Sequence, residues 1–179
     1  MPDARLIRIS KLMSLILRHK PEQFGILLDA EGYAPIEEVV RAIRESIADA
    51  GIDDVRQVVG RIEPDKSRFA IEGADIRANY GHSLRDRIEQ PRVVPPEVLL
   101  HGTSDSAVFD IRREGIRPMR RQYVHLTTGR DLAARVGGRH GKATVLEIEA
   151  LRGAEAGLAF YRANESFWLA DFIPATFIR

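Results

Sequence analysis

Apolar residues recur at helical spacing through the first part of this chain and at alternating spacing through the last. Leu12, Met13, Leu15 and Ile16 mark the inner face of a first helix, predicted from Ser10 as N-cap. Pro21 pushes Lys20 out of helical space, so Arg18 and His19 fall on the last turn. Ile36, Val39, Val40, Ile43 and Ile47 predict a second helix that begins at Pro35 and stops at Gly51. A third starts at Asp53 and carries Val55, Val58, Val59 and Ile62. Arg68-Phe69-Ala70-Ile71-Glu72 and Asp75-Ile76-Arg77-Ala78 then read as short strands joined around Gly73. Three helices followed by a hairpin is the winged-helix order.

A proline-rich stretch, residues 89–96, predicts an extended linker. Beyond it Val98-Leu99-Leu100 reads as a strand and residues 105–114 as a helix stopped by Gly115. Residues 123–127 predict a strand and 131–136 a short helix before Gly137-Gly138. Ala143 to Glu149 alternates as a half-buried strand, and Phe167-Trp168-Leu169 and Ala175-Thr176-Phe177-Ile178 predict two more. The expectation is an α+β chain of two lobes, 1–92 and 93–179, the second a small sheet-rich domain.

Composition narrows the function. The net charge of +1 argues against nonspecific nucleic-acid binding through bulk charge. With no cysteine there is neither a disulfide framework nor a thiolate zinc site, which fits a reducing cytoplasm. No apolar run approaches the roughly 20 residues of a membrane span. The five histidines, His19, His82, His101, His125 and His140, show no metal-binding spacing, so no metal is expected. There is no GxSxG elbow, P-loop or GxGxxG turn.

What remains is a set of cationic and polar clusters: Arg18-His19; Lys66-Ser67-Arg68-Phe69; Arg77-Ala78-Asn79-Tyr80-Gly81-His82-Ser83; His101-Gly102-Thr103; and Arg121-Gln122-Tyr123-Val124-His125-Leu126. Guanidiniums fork onto phosphate oxygens and do not lose their proton, so these clusters suit a phosphate. Each has a plainer reading as well. Arg18 and His19 also suit capping a helix C-terminus, and the 79–83 segment also suits an ordinary loop. Gly102 lets a ligand approach the backbone, and a histidine at a strand end is commonly structural. The five arginines from Arg112 to Arg121 also read as a solvated face. Gly137-Gly138-Arg139-His140-Gly141 suits either a phosphate cradle or a flexible turn.

In order and spacing these clusters resemble the NAD-dependent RNA 2′-phosphotransferase family over nearly the whole chain. Ser10 to Pro21 is similar to its opening motif, and the clusters at 66–69 and 76–83 to its next two blocks. Leu100-His101-Gly102-Thr103, Val124-His125-Leu126 and Val136 to Gly141 resemble its NAD-lobe blocks. The chain departs at Glu165-Ser166-Phe167-Trp168-Leu169, where the family shows Asn-Gly-Val-Trp-Leu.

The resemblance implies a winged-helix RNA lobe and an ADP-ribosyltransferase-like NAD lobe. It also implies an Arg-His-Arg-Arg tetrad, here Arg18, His19, Arg68 and Arg121. NAD, a co-substrate, falls to His101, Gly102, Thr103, His125, Thr127 and Arg139, and RNA to Arg77, Asn79, Gly81, His82 and Ser83. The implied reaction transfers an internal RNA 2′-phosphate to NAD through an RNA-2′-phospho-ADP-ribose intermediate. Its products are 2′-OH RNA, ADP-ribose 1″,2″-cyclic phosphate and nicotinamide. A cytoplasmic monomer with no membrane partner is expected, and RNA repair or tRNA splicing as its setting. Two other readings stay open: ADP-ribosylation of terminal nucleic-acid phosphates, and a non-catalytic winged-helix regulator that senses NAD. The acidic start of the third helix, Asp53-Asp54, argues against duplex recognition.

Overall fold

The computed structural model describes residues 3–60 and 67–179. The chain divides into two compact units, Met1–Glu89 and Gln90–Arg179. Both mix helices with antiparallel strands, which gives an α+β protein with two separate sheets. Among the described residues no helix is long and apolar enough to cross a membrane.

In the first unit, α1 (Ala4–Arg18) starts six residues before the expected Ser10. Asp3 is its N-cap, accepting from the Arg5 amide at 2.9 Å, and Leu6 and Ile9 extend the buried stripe of Met13, Ile16 and Leu17. Its C-cap is His19. Strand β1 (Tyr33–Pro35), which the pattern did not predict, leads into α2 (Ile36–Arg44). That helix stops well before Gly51; Ile47 is still buried on a turn that Arg44 fastens by donating from Nε to the Ala50 carbonyl. Helix α3 (Ile52–Gly60) begins where Asp54 accepts from the Gly51 amide. Ile62, assigned to this helix, and Lys66 lie outside the described residues.

Strands β2 (Phe69–Glu72) and β3 (Asp75–Ala78) form the expected hairpin, and β1 adds to it in the order β1-β3-β2. Alternation sends Ala34, Phe69, Ile76 and Ala78 into the core with the helices. Tyr33, Arg77, Ala70 and Glu72 fall on the other face, with Arg77 opposite both Tyr33 and Ala70.

The second unit is built on a five-stranded antiparallel sheet in the order β6-β4-β5-β8-β7. Its strands are β4 (Val98–Ser104), β5 (Val124–Thr127), β6 (Ala143–Glu149), β7 (Phe160–Arg162) and β8 (Phe167–Ala170). Strand β4 runs on through His101, Gly102 and Thr103 instead of ending before them, because β6 pairs with it along its full length. Against β5 it pairs only at Leu100 with Thr127.

Helices α4 (Val108–Glu114), α5 (Arg130–Gly137) and α6 (Ala150–Glu155) complete the unit. Sequence pattern missed α6 and β7. The strand expected at 175–178 is a 3-10 turn, Ala175–Phe177, closed by Phe177 and Ile178 amides on the Pro174 and Ala175 carbonyls. Only Ile178 bridges to the sheet, at Ile148. The expected linker is partly laid along β7, where Val93 donates to the Phe160 carbonyl at 2.9 Å.

Candidate functional site

The first unit gathers Arg18, His19, Arg68, Asn79 and Ser83 through main-chain bonds between distant segments. The Ser83 amide donates to the Arg18 carbonyl and the Asn79 amide to the Arg68 carbonyl, both at 2.9 Å. These bonds tie the 79–83 loop to the end of α1 and to the start of β2. Gly81 adopts φ +90°, a conformation that a side chain disfavours, and turns this loop.

Arg18 is only 9% exposed. Its guanidinium lies 5.3 Å from the Phe69 ring and 5.1 Å from the Tyr80 ring, and Nη2 donates to the Arg68 carbonyl at 3.2 Å. Aromatic faces attract a cation without neutralising it, so they hold the charge in place and leave it to act on an anion. The next residue, His19, is half-buried, with Nδ1 2.8 Å from Ser83 Oγ. That hydrogen bond fixes the ring plane at the helix end, where the dipole also favours a cation.

Asn79 is buried and donates from Nδ2 to the Ser67 carbonyl at 3.0 Å and to Ser67 Oγ at 3.3 Å. Its amide thus sets the approach to Arg68 instead of facing solvent. His82 is 3% exposed and packs near Gly32, behind the loop. Arg77 lies over the Tyr33 ring at 4.8 Å, on the outer face of the small sheet.

The second unit holds a cavity of about 530 Å³ between one face of the β4–β5 region and α4. His101, Thr103 and His125 line it with Ile111, Ile116 and Tyr123. His101 Nδ1 donates to the His125 carbonyl at 3.1 Å, next to the point where β4 and β5 cease to pair. Burial pushes the His101 pKa down, against a smaller upward pull from that bond. The ring is therefore neutral at pH 7, a donor at Nδ1 and an acceptor at Nε2.

Gly102 faces the opposite way. A Cβ there would lie 1.8 Å from the Ala133 carbonyl oxygen, so this side of β4 is filled by α5 and not by open space for a ligand. Gly137, one turn on, is as tight: its Cβ would lie 2.5 Å from the Thr103 carbonyl oxygen. Thr127 is buried, and its hydroxyl accepts from the Gly129 amide at 3.1 Å, closing the turn before α5. Arg121 is exposed on a turn after Pro118, whose carbonyl accepts its amide at 3.0 Å. Arg139 is exposed in a 3-10 turn, Gly138–His140.

Sequence reasoning passed over Phe69 and Tyr80 as the faces that hold Arg18. It also missed the apolar cavity wall of Ile111, Ile116 and Tyr123. The aromatics stand inside the quoted clusters, so a basic residue with two nearby rings was the available signal. The wall residues show only ordinary core spacing and gave no such signal.

The family model described as "RNA 2'-phosphotransferase, Tpt1 / KptA family" matches residues 4–172. A protein of Acaryochloris marina named "Probable RNA 2'-phosphotransferase" is 39% identical over 177 residues, 98% of this chain and 97% of that one. Proteins of the same name from Agrobacterium fabrum and Pectobacterium atrosepticum are 40% and 41% identical, covering 94% and 96% of this chain and 91% and 96% of their own. With a match over nearly its full length, this chain belongs to the RNA 2′-phosphotransferase family.

Proposed function

We propose that this chain removes an internal RNA 2′-phosphate by transferring it to NAD. The observation that carries the reading is Arg18, buried between two rings beside a histidine held by Ser83. That arrangement suits a phosphate that arrives already charged and needs positioning more than deprotonation. The first unit serves as a winged-helix RNA lobe, as its three helices and added strands allow. The second serves as an ADP-ribosyltransferase-like lobe.

The cavity fits part of a dinucleotide in size and chemistry. Its volume falls in the usual ligand range, and neutral His101 offers an acceptor for a ribose hydroxyl beside the Thr103 hydroxyl. His125 joins them, while Gly102 and Thr127 act by shaping the strands and the turn. Arg139 is assigned to the NAD pyrophosphate. Arg121 is the fourth member of the tetrad that the family resemblance implies.

In the first step a 2′-phosphate oxygen attacks C1″ of the nicotinamide ribose. The C1″–N bond breaks, its electron pair leaves with nicotinamide, and the ring's positive charge is relieved. The ribose 2″-OH then attacks phosphorus, its proton passing to solvent, and the bond from phosphorus to the RNA 2′-oxygen breaks. That oxygen is a poor leaving group, and His19, hydrogen-bonded at Nδ1, gives it a proton from Nε2. Arg18 and Arg68 counter charge on the five-coordinate phosphorus, the role that the resemblance gives Arg121 as well. Asn79 and Gly81 fix the loop, His82 supports it from behind, and Ser83 orients His19.

The test is incubation with 2′-phosphorylated RNA with and without NAD. Loss of the 2′-phosphate only with NAD, together with free nicotinamide, is the expected result. Folded protein that leaves the 2′-phosphate in place overturns the reading. Stable ADP-ribose on a terminal phosphate would replace it with simple ADP-ribosylation.

A further inference from the structure

Most cations described in the first unit's charged contacts have an obvious purpose; Arg77 does not. Arg5, for comparison, bridges to Asp49 and Asp54. Arg77 is half-buried on β3, and its Nε is buried without a hydrogen-bond partner among the described residues. Its guanidinium stacks on Tyr33. The Tyr33 hydroxyl is in turn fixed by donating to Glu72 Oε2 at 2.8 Å. A buried N–H left without an acceptor is costly, and an arriving acceptor removes that cost.

Strand register says what kind of acceptor. Arg77 is opposite Ala70, whose side chain is small. Arg68 precedes Ala70 by two residues, so it lies on the same face, diagonal to Arg77, at about 7–8 Å for such neighbours. Two half-buried guanidiniums side by side repel each other and suit a chain of spaced negative charges. The carboxylates on this face, Glu72 and Asp75, sit at the opposite end, by the hairpin turn. The face is therefore graded, cationic toward Arg68 and acidic toward Gly73.

We propose that Arg77, stacked on Tyr33, holds the backbone phosphate of a nucleotide next to the one carrying the 2′-phosphate. Arg68 takes the reacting phosphate, and the strand follows the sheet face from Arg68 toward Arg77, the arrangement of a groove that tracks a single strand. The substrate class is then single-stranded RNA at least two nucleotides long, and an isolated 2′-phosphorylated nucleoside binds more weakly. This rests on the RNA 2′-phosphate reading above.

The experiment measures binding, without NAD, of the full chain to a short RNA bearing one internal 2′-phosphate. In a parallel series each neighbouring backbone phosphate is replaced in turn by a neutral methylphosphonate. One replacement should weaken wild-type binding about tenfold or more, the worth of a charged hydrogen bond. Arg77→Gln should weaken binding to the parent RNA equally and be indifferent to that replacement alone. Its log–log salt slope should fall by about 0.7, one single-strand phosphate contact. Arg77→Lys, which keeps the charge, should retain the slope. Weakening spread evenly over every replacement, or no weakening at all, overturns the proposal. A wild type that binds but turns nothing over with NAD overturns the reaction while leaving Arg77's role standing. A wild type that does not bind overturns both.

Discussion

The two units of this molecule position polar groups by opposite means. In the first, Arg18, His19, Arg68 and the 79–83 loop all stand where a helix or strand stops, and main-chain bonds lace those ends together. In the second, His101 and Thr103 stand in the middle of a seven-residue strand, held by β6 on one side and by α5 behind. Ends deliver cations at the edge of a core, where charge stays available. A strand interior delivers a ring whose burial lowers its pKa and keeps it neutral. The difference suits an anion for the first unit and an uncharged ribose for the second.

The contrast can be broken most severely at Gly102. If β4 is positioned by its contact with α5, Gly102→Ala must push backbone against backbone, and a loss of roughly 3 kcal/mol or more is expected. Trp168, the sole tryptophan, lies in this unit's core, so its fluorescence during urea unfolding reads the change directly. Unchanged stability with weakened NAD use would return Gly102 to the role of a ligand contact.

Next in size is His19→Ala. General-acid loss slows a step by roughly 10²-fold or more, and the second step should suffer because only it needs a proton at the RNA 2′-oxygen. The readout is RNA-2′-phospho-ADP-ribose accumulating on a gel. Equal slowing of both steps would make His19 a phosphate holder and remove the acid from the first unit.

Asn79→Ala sharpens the claim that main-chain lacing aims Arg68. Deleting its side-chain bonds to Ser67 should cost about 1–2 kcal/mol, visible as faster hydrogen exchange of the β2–β3 amides. Turnover should fall severalfold with it. Protected amides and lowered turnover together would point instead to direct substrate contact.

The smallest effect is titration of His101. Its folded-state pKa is lowered, so the unfolded chain binds the extra proton more readily. Stability of the second unit is therefore full above the ordinary histidine value of about 6.5 and is lost as pH falls below it. One group contributes at most about 1.4 kcal/mol per pH unit to this slope. His101→Asn keeps a donor for the His125 carbonyl but cannot titrate, and it should flatten the tryptophan unfolding midpoint across pH 5–7.

How much of this could be read from residues alone follows the same division. Arg18 and His19 were legible because Pro21 marks where α1 must stop. The hairpin was legible because Gly73 interrupts two alternating runs. The start of α1 was not, since Asp3 caps it seven residues ahead of an equally plausible Ser10. Strand β1 escaped notice because three residues, Tyr33, Ala34 and Pro35, are too few to show a period. In the second unit, the apolar run Val98-Leu99-Leu100 gives way to His101 and Gly102, so the strand seemed to end where it continues. Alternation at 175–178 was real, but local turns claimed those amides first. The cavity depended on partners distant in sequence, Tyr123 with Ile111 and His101, that no local pattern pairs.

The paired glycines of β4 and α5 also decide which redesigns are open. Gly102 meets Ala133, and Gly137 meets Thr103, so helix and strand lie flush with no layer of side chains separating them. The strand's seat on the helix cannot be thickened, thinned or slid by exchanging residues, because backbone meets backbone there, while the cavity side of the strand carries His101 and Thr103. On the proposed reading, room for a bulkier dinucleotide comes from trimming side chains that line the cavity, Ile111, Ile116 and Tyr123 among them, and not from moving the strand. The second unit's cavity thus has a fixed backbone seat and exchangeable side chains, and on the proposed reading altered co-substrate preference should arise by substitutions among the latter.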